Sequence, residues 1–200
     1  KNDIYWLGSL DPNLKVFDIL VETEFGTTYN SYFVKGSDKT AVFETVKEKC
    51  FDEYIEKLKK LTDLSKIDYI VVSHTEPDHA GSISKLLDYS KNAKIVASER
   101  AVEFLKDIMN REFEYIVVNH LDELSLGNKT LQCYSVPFLH WPDTIYTYIK
   151  EDKTLVTCDS FGSHYSFNEV LYSKIPGEKM KDYRSALRYY YLAIFSLYYK

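Results

Sequence analysis

Apolar and polar positions along the 200-residue chain change their period several times, and each change predicts an element. The blocks Phe17 to Glu22, Asn30 to Val34 and Thr40 to Val46 are broken at Phe25-Gly26 and at Lys35-Gly36-Ser37-Asp38. Short apolar blocks separated by tight turns predict three strands paired antiparallel. Phe51, Tyr54, Ile55, Leu58 and Leu61 then recur at helical spacing with charges between them. That pattern predicts an amphipathic helix covering a sheet. Ile67 to Ser73 reads as a buried strand, followed by a polar loop at 74 to 80. Helix and strand patterns alternate next: a helix over Ser82 to Tyr89, a strand over Lys94 to Ala97, a helix over Glu99 to Met109 and a strand over Tyr115 to Val118. Thr130 to Val136, Thr144 to Ile149 and Thr154 to Cys158 return to strand patterns, with turns at Gly127-Asn128 and Glu151-Asp152. Strand-rich blocks at both ends of an alternating α/β segment predict two facing sheets with helices outside, a four-layer αββα sandwich. Tyr183, Leu187, Tyr190, Ile194 and Leu197 form one apolar face of a C-terminal covering helix.

The length suffices for a deep core. Lys and Arg number 25 against 30 Asp and Glu, a formal charge of −5, which argues against nucleic acid as the main partner. The charge-free stretch Tyr189 to Tyr199 is too short to span a bilayer. The N-terminus lacks the apolar stretch of a secretory signal, so a cytoplasmic address is expected. Cys50, Cys133 and Cys158 form no C-x-x-C pair and read as reduced, mostly buried thiols. No two of the seven glycines lie within five positions, which excludes a glycine-rich nucleotide cradle. The chain opens on Lys1 and stops at Lys200 inside a helical pattern without a cap. Residues 1–200 are therefore expected to form one domain cut from a longer protein.

The chemistry gathers after the strand that ends at Ser73. His74, Glu76, Asp78 and His79 stand within six residues, in the run Ser-His-Thr-Glu-Pro-Asp-His-Ala-Gly-Ser. Loops at the C-terminal ends of strands are where α/β folds assemble sites. Helix caps at Asp78 and Ser82 are the structural alternative. His140, in Leu-His-Trp-Pro-Asp, and Asp159, in Val-Thr-Cys-Asp-Ser-Phe-Gly, each follow an apolar run and are candidate further ligands. Imidazole and carboxylate without thiolate suit iron, manganese or zinc, and a carboxylate at Glu76 in place of a histidine shifts the preference toward oxophilic redox metals. His120 sits among acidic loop residues and is left out, whereas His164 is close enough to Asp159 to line the same crevice.

These motifs resemble the metallo-β-lactamase-like domain of flavodiiron proteins, whose signature is H-x-E-x-D-H followed by a later His and a bridging Asp. The match runs across most of the chain. Hydrolase relatives of the superfamily carry H-x-H-x-D-H and bind zinc, so Glu76 is the specific part of the likeness. The resemblance implies two irons per chain. It places His74, Glu76 and His140 on one, Asp78 and His79 on the other, and Asp159 between them. Trp141 and Phe161 would wall the pocket, and Asp143 and His164 would support the ligands. The family supplies a further histidine to the second iron, and no His follows His164 here. That ligand then lies beyond Lys200, or His164 substitutes, or the second site is open. The FMN-carrying flavodoxin-like domain of the family is also missing.

The activity implied is reduction of O2 to water or of NO to N2O, with electrons passing from a donor such as rubredoxin or a flavin reductase through FMN. A head-to-tail homodimer or tetramer would bring flavin to iron across subunits. A flavin-independent di-iron O2 sensor and a zinc-dependent hydrolase are the alternatives.

Overall fold

The computed structural model of the chain describes residues 3–198. The elements are β1 (Ile4–Trp6), β2 (Ser9–Asp11), β3 (Val16–Phe17), β4 (Val21–Glu22), β5 (Thr27–Tyr29), β6 (Tyr32–Lys35) and β7 (Thr40–Phe43). Next come α1 (Phe51–Lys59), β8 (Tyr69–Val71), α2 (Pro77–Ala80), α3 (Ile83–Tyr89), β9 (Lys94–Ala97), α4 (Glu99–Met109) and β10 (Tyr115–Val117). The chain continues through β11 (Glu123–Ser125), β12 (Thr130–Ser135), β13 (Ile145–Ile149), β14 (Thr154–Val156) and α5 (Met180–Ala193).

A six-stranded sheet runs in the order β1-β6-β7-β8-β9-β10. Its β1-β6 and β6-β7 pairs are antiparallel, and β7 to β10 are parallel. The facing sheet, β11-β12-β13-β14, is antiparallel throughout. Successive side chains on a strand point to opposite faces, and that alternation divides the core in two. Phe33, Val42, Ile70 and Ile95 pack outward against Tyr54 and Leu58 of α1, Ile83 and Leu86 of α3, and Leu105 of α4. Val34, Phe43, Val71 and Val96 pack inward against Leu131, Cys133, Ile145 and Ile149 of the second sheet. The strands β8 and β9 are thus covered on both faces, which is why their sequences read as continuous apolar runs. The two sheets also join through the turn after β6. A Cβ on Gly36 would lie 2.1 Å from the Leu126 carbonyl oxygen, which accepts the Asp38 and Lys39 N–H groups at 3.1 and 3.3 Å.

The block Phe17 to Glu22 is not the single strand its apolar content suggests. It is a tight hairpin in which Val16 pairs with Glu22 and Phe17 with Val21. Asp18 and Ile19 take left-handed φ of 44° and 73° at its tip, so Ile19 and Leu20 point out at 90% and 86% exposure. Residues 74 to 80 are not wholly loop, because Pro77 opens the helical turn α2. The short strands β1, β2, β5 and β11 go beyond the sequence pattern, since three residues are too few to show a period. At the C-terminal end Tyr183, Leu187, Tyr190 and Ile194 are buried or half-buried, as one apolar face requires. Leu197, assigned to the same face, lies outside the residues whose side chains are described. Among the described residues no helix is long and apolar enough to cross a membrane.

Phe43 is fully buried between the sheets. Phe43→Ala is expected to lower stability by about 3–5 kcal/mol in urea denaturation. A loss below about 1 kcal/mol would contradict the inter-sheet packing described.

Candidate metal centre

Every candidate ligand follows the C-terminal end of a strand. His74 and Glu76 follow β8, Asp78 and His79 sit in α2, His140 lies between β12 and β13, and Asp159 follows β14. The backbone that carries them is tied down from several sides. Glu76 is extended at φ −60° and ψ 143°, and its carbonyl accepts the N–H groups of His79 and Ala80 at 2.9 and 2.8 Å. The Thr45 hydroxyl donates to the His79 carbonyl at 2.6 Å. The Asp143 carboxylate accepts both the N–H and the hydroxyl of Thr75, at 2.9 and 2.8 Å. Its own carbonyl accepts the Ser98 hydroxyl at 2.8 Å. Asp143 therefore supports the ligand loop through Thr75 rather than through a histidine.

Besides a group made by His74, His79 and Cys158, the donor atoms form two groups that share Asp159. His74, Glu76, His140 and Asp159 make the first, and Asp78, His79 and Asp159 the second, with the donor atoms of each group within 4.8 Å of one another. His74 Nε2 lies 3.5 Å from Glu76 Oε2 and 3.8 Å from Asp159 Oδ2. His140 Nε2 lies 3.2 and 3.4 Å from the same two oxygens. His79 Nε2 lies 3.0 Å from Asp159 Oδ1 and 3.6 Å from Asp78 Oδ2. His74 Nε2 and Asp78 Oδ1 are buried without a hydrogen-bond partner among the described residues. Leaving such atoms unmet costs about 1–3 kcal/mol each. The donor set and its unmet atoms fit a pair of cations.

Burial and charge split the protonation states. Burial pushes the Asp78 carboxyl up to about 8, against the pull of His79. Glu76 is likewise raised by burial, against its hydrogen bond with His140. Asp159 is held well below the usual range, because His79, His140 and His74 outweigh its burial. Burial would lower His79 and His140, but Asp159 with Asp78 drives the first well up, and Asp159 with Glu76 brings the second to about 9. Burial, reinforced by His79, takes His74 well below its ordinary value, so that ring is neutral.

The surroundings contain residues the sequence pattern did not reveal. Glu44 is buried, with Oε1 accepting the Ser73 N–H at 2.8 Å and Oε2 3.5 Å from His79 Nδ1. In the sequence it is only a lone carboxylate inside the strand pattern Thr40 to Val46, with nothing to connect it to His79. Cys158 Sγ lies 3.3 Å from His74 Nδ1. The Trp141 ring lies 5.8 Å from that of His74. Phe161, expected beside it, is instead directed outward at 75% exposure. Its place is taken by Phe195, whose ring lies 5.5 Å from His140, and by Tyr190. His164 is buried but belongs to neither donor group. Its Nδ1 lies 3.0 Å from Thr27 Oγ1 and its ring 4.9 Å from Tyr190. His120 is exposed and outside the site. A cavity of about 230 Å³ reaches Asp78, His79, Asp159, Thr27, His164 and Tyr190.

A family model described as "ODP family beta lactamase" matches residues 27–194. The chain belongs to that family, and its fold is the metallo-β-lactamase-like αββα sandwich. Its relatives include a flavodiiron protein, type A flavoproteins and a nitric oxide reductase. Flavo-diiron protein FprA2 of Clostridium acetobutylicum is 41% identical over 198 residues, covering 98% of this chain and 49% of that protein. A nitric oxide reductase of Moorella thermoacetica is 36% identical over 189 residues, covering 94% and 47%. Among solved structures, rubredoxin oxygen:oxidoreductase of Desulfovibrio gigas superposes with a TM-score of 0.91 at 31% identity, covering 97% of this chain and 48% of that one. The chain spans about half the length of the curated relatives it matches.

The raised groups fix the sign of a pH effect on the metal-free chain. Asp78 at about 8 and His140 at about 9 hold protons that the unfolded chain has released, so the folded state binds more protons and stability falls as pH rises. His74 and His164, held low, act in the opposite sense only below about 6.5, the unfolded histidine value. The urea midpoint of chelator-treated protein is expected to fall steadily from pH 6.5 to 9. A flat or rising profile would show that these groups are not so charged.

Proposed function

We propose that this chain is the metal-bearing domain of a flavodiiron oxidoreductase that reduces O2 to water, or NO to N2O, with electrons delivered through FMN. The observation that supports this most directly is the sharing of Asp159 by two donor groups. His74, Glu76 and His140 would hold one iron, Asp78 and His79 the other, and Asp159 both. When bound, the iron pair supplies two adjacent redox centres able to take one diatomic molecule or two. Glu76 adds a hard oxygen donor where a zinc hydrolase would carry imidazole, which favours iron.

The protein residues do the rest. Trp141, Phe195 and Tyr190 keep the site largely dry, and Asp143 keeps the ligand loop from relaxing. Reduction of O2 to two waters takes up four protons and four electrons, and of two NO to N2O and water two of each. The electrons come from a donor of the rubredoxin or flavin-reductase kind, in a head-to-tail assembly that brings FMN to the site.

Anaerobically purified protein is expected to carry iron at about two per chain. Glu76→Ala and Asp159→Ala should each lose iron and abolish O2 consumption when reduced flavoprotein supplies electrons. Full consumption in either variant overturns the proposal, as does zinc with hydrolase turnover and no iron.

A further inference from the structure

Two candidate ligands, His74 and His79, present their rear nitrogens to different groups. A metal-bound imidazole usually donates its other N–H to a carboxylate, a carbonyl or water, which sets the tautomer and the ring orientation. His79 Nδ1 has a carboxylate oxygen nearby, Glu44 Oε2 at 3.5 Å, though that oxygen accepts no hydrogen bond among the described residues. His74 has no carboxylate beside its Nδ1 among the described residues. Its Nδ1 faces the sulfur of Cys158 at 3.3 Å, and the same sulfur lies 4.0 Å from His79 Nδ1.

We infer that Cys158 is a positioning residue for His74: its sulfur accepts the Nδ1–H, which leaves Nε2 unprotonated and turned toward Glu76 and Asp159. This inference rests on the di-iron reading for its purpose, though not for its geometry. Three observations carry it. The His74 ring is fully buried, so no solvent can serve Nδ1 instead. Its Nε2 is without a hydrogen-bond partner among the described residues and lies 3.5 Å from Glu76 Oε2 and 3.8 Å from Asp159 Oδ2, where a cation would sit. Cys158 itself takes a left-handed φ of 50°, a conformation uncommon outside glycine, which aims its side chain inward while the next residue, Asp159, presents its carboxylate to both groups. A cysteine sulfur is a weak acceptor.

Nitrogen-15 spectra of the histidine side chains in metal-free protein test this directly. His74 is expected as the Nδ1–H tautomer. Cys158→Val, close in size and unable to accept a hydrogen bond, should give mixed tautomers and weaken iron(II) binding about 10- to 100-fold in chelator competition. Cys158→Ser should restore the tautomer and most of the affinity. Should the valine variant fail to fold, the wild-type tautomer and the serine variant still decide. An Nε2–H tautomer in the wild type, or unchanged tautomer and affinity in the valine variant, overturns the assignment. A wild-type Nδ1–H tautomer that mixed in Cys158→Val, in a protein that binds no iron, would overturn the di-iron reading and leave the Cys158 contact standing.

Discussion

Three carboxylates, Glu76, Asp78 and Asp159, face one another in a site largely closed to water, and the rest of the structure answers to that constraint. A buried carboxylate without compensation costs several kcal/mol, and three together repel. The chain meets this in two ways. Imidazoles of His74, His79 and His140 stand between the oxygens, burial raises Glu76 and keeps a proton on Asp78, and Asp159 remains charged. A pair of divalent cations would relieve the same repulsion more completely, which is the physical content of calling the cluster a metal centre.

Holding such a cluster together requires a scaffold that does not yield. The candidate ligands come from three places far apart in sequence, each just beyond a strand that is locked in a sheet. The end of β8 is bonded sideways to β13 through the Ser73 carbonyl, which accepts the Ile145 N–H at 2.8 Å. Thr45 holds α2 by the His79 carbonyl, and Asp143 holds Thr75. These are buried hydrogen bonds from backbone to backbone or to short polar side chains, so the loop of candidate ligands cannot drift without leaving donors unmet.

Much of this was legible in the residue pattern, for reasons that differ by element. The strands β7, β8 and β9 and the helices α1 and α4 announce themselves because burial on one or two faces imposes a period. The six candidate ligands announce themselves because charged residues directly after apolar runs have few structural reasons to be there. Phe17 to Glu22 misleads, since Ile19 and Leu20 look like strand interior yet occupy an exposed hairpin tip. Phe161 misleads in the same way, because apolarity alone does not say which side of a turn a side chain takes. Glu44 and Cys158 were out of reach for another reason: each acts through a histidine distant in sequence, and only the fold brings them behind it.

The aromatic cover links these points to function. Phe195 lies against His140, Trp141 beside His74, and Tyr190 over His164, so α5 and the segment after it close the end of the sandwich where the ligands emerge. Closing that end lowers the local dielectric, which strengthens every charge–charge contact inside it and penalises every unpaired charge. The opposite displacements of Asp159 and Asp78 are the two faces of that effect. Asp159, shared by three imidazoles, gains more from attraction than it loses to burial, while Asp78, with His79 as its main partner, does not. The same cover therefore keeps Asp159 an anion at the centre of the cluster and keeps a proton on Asp78 at neutral pH.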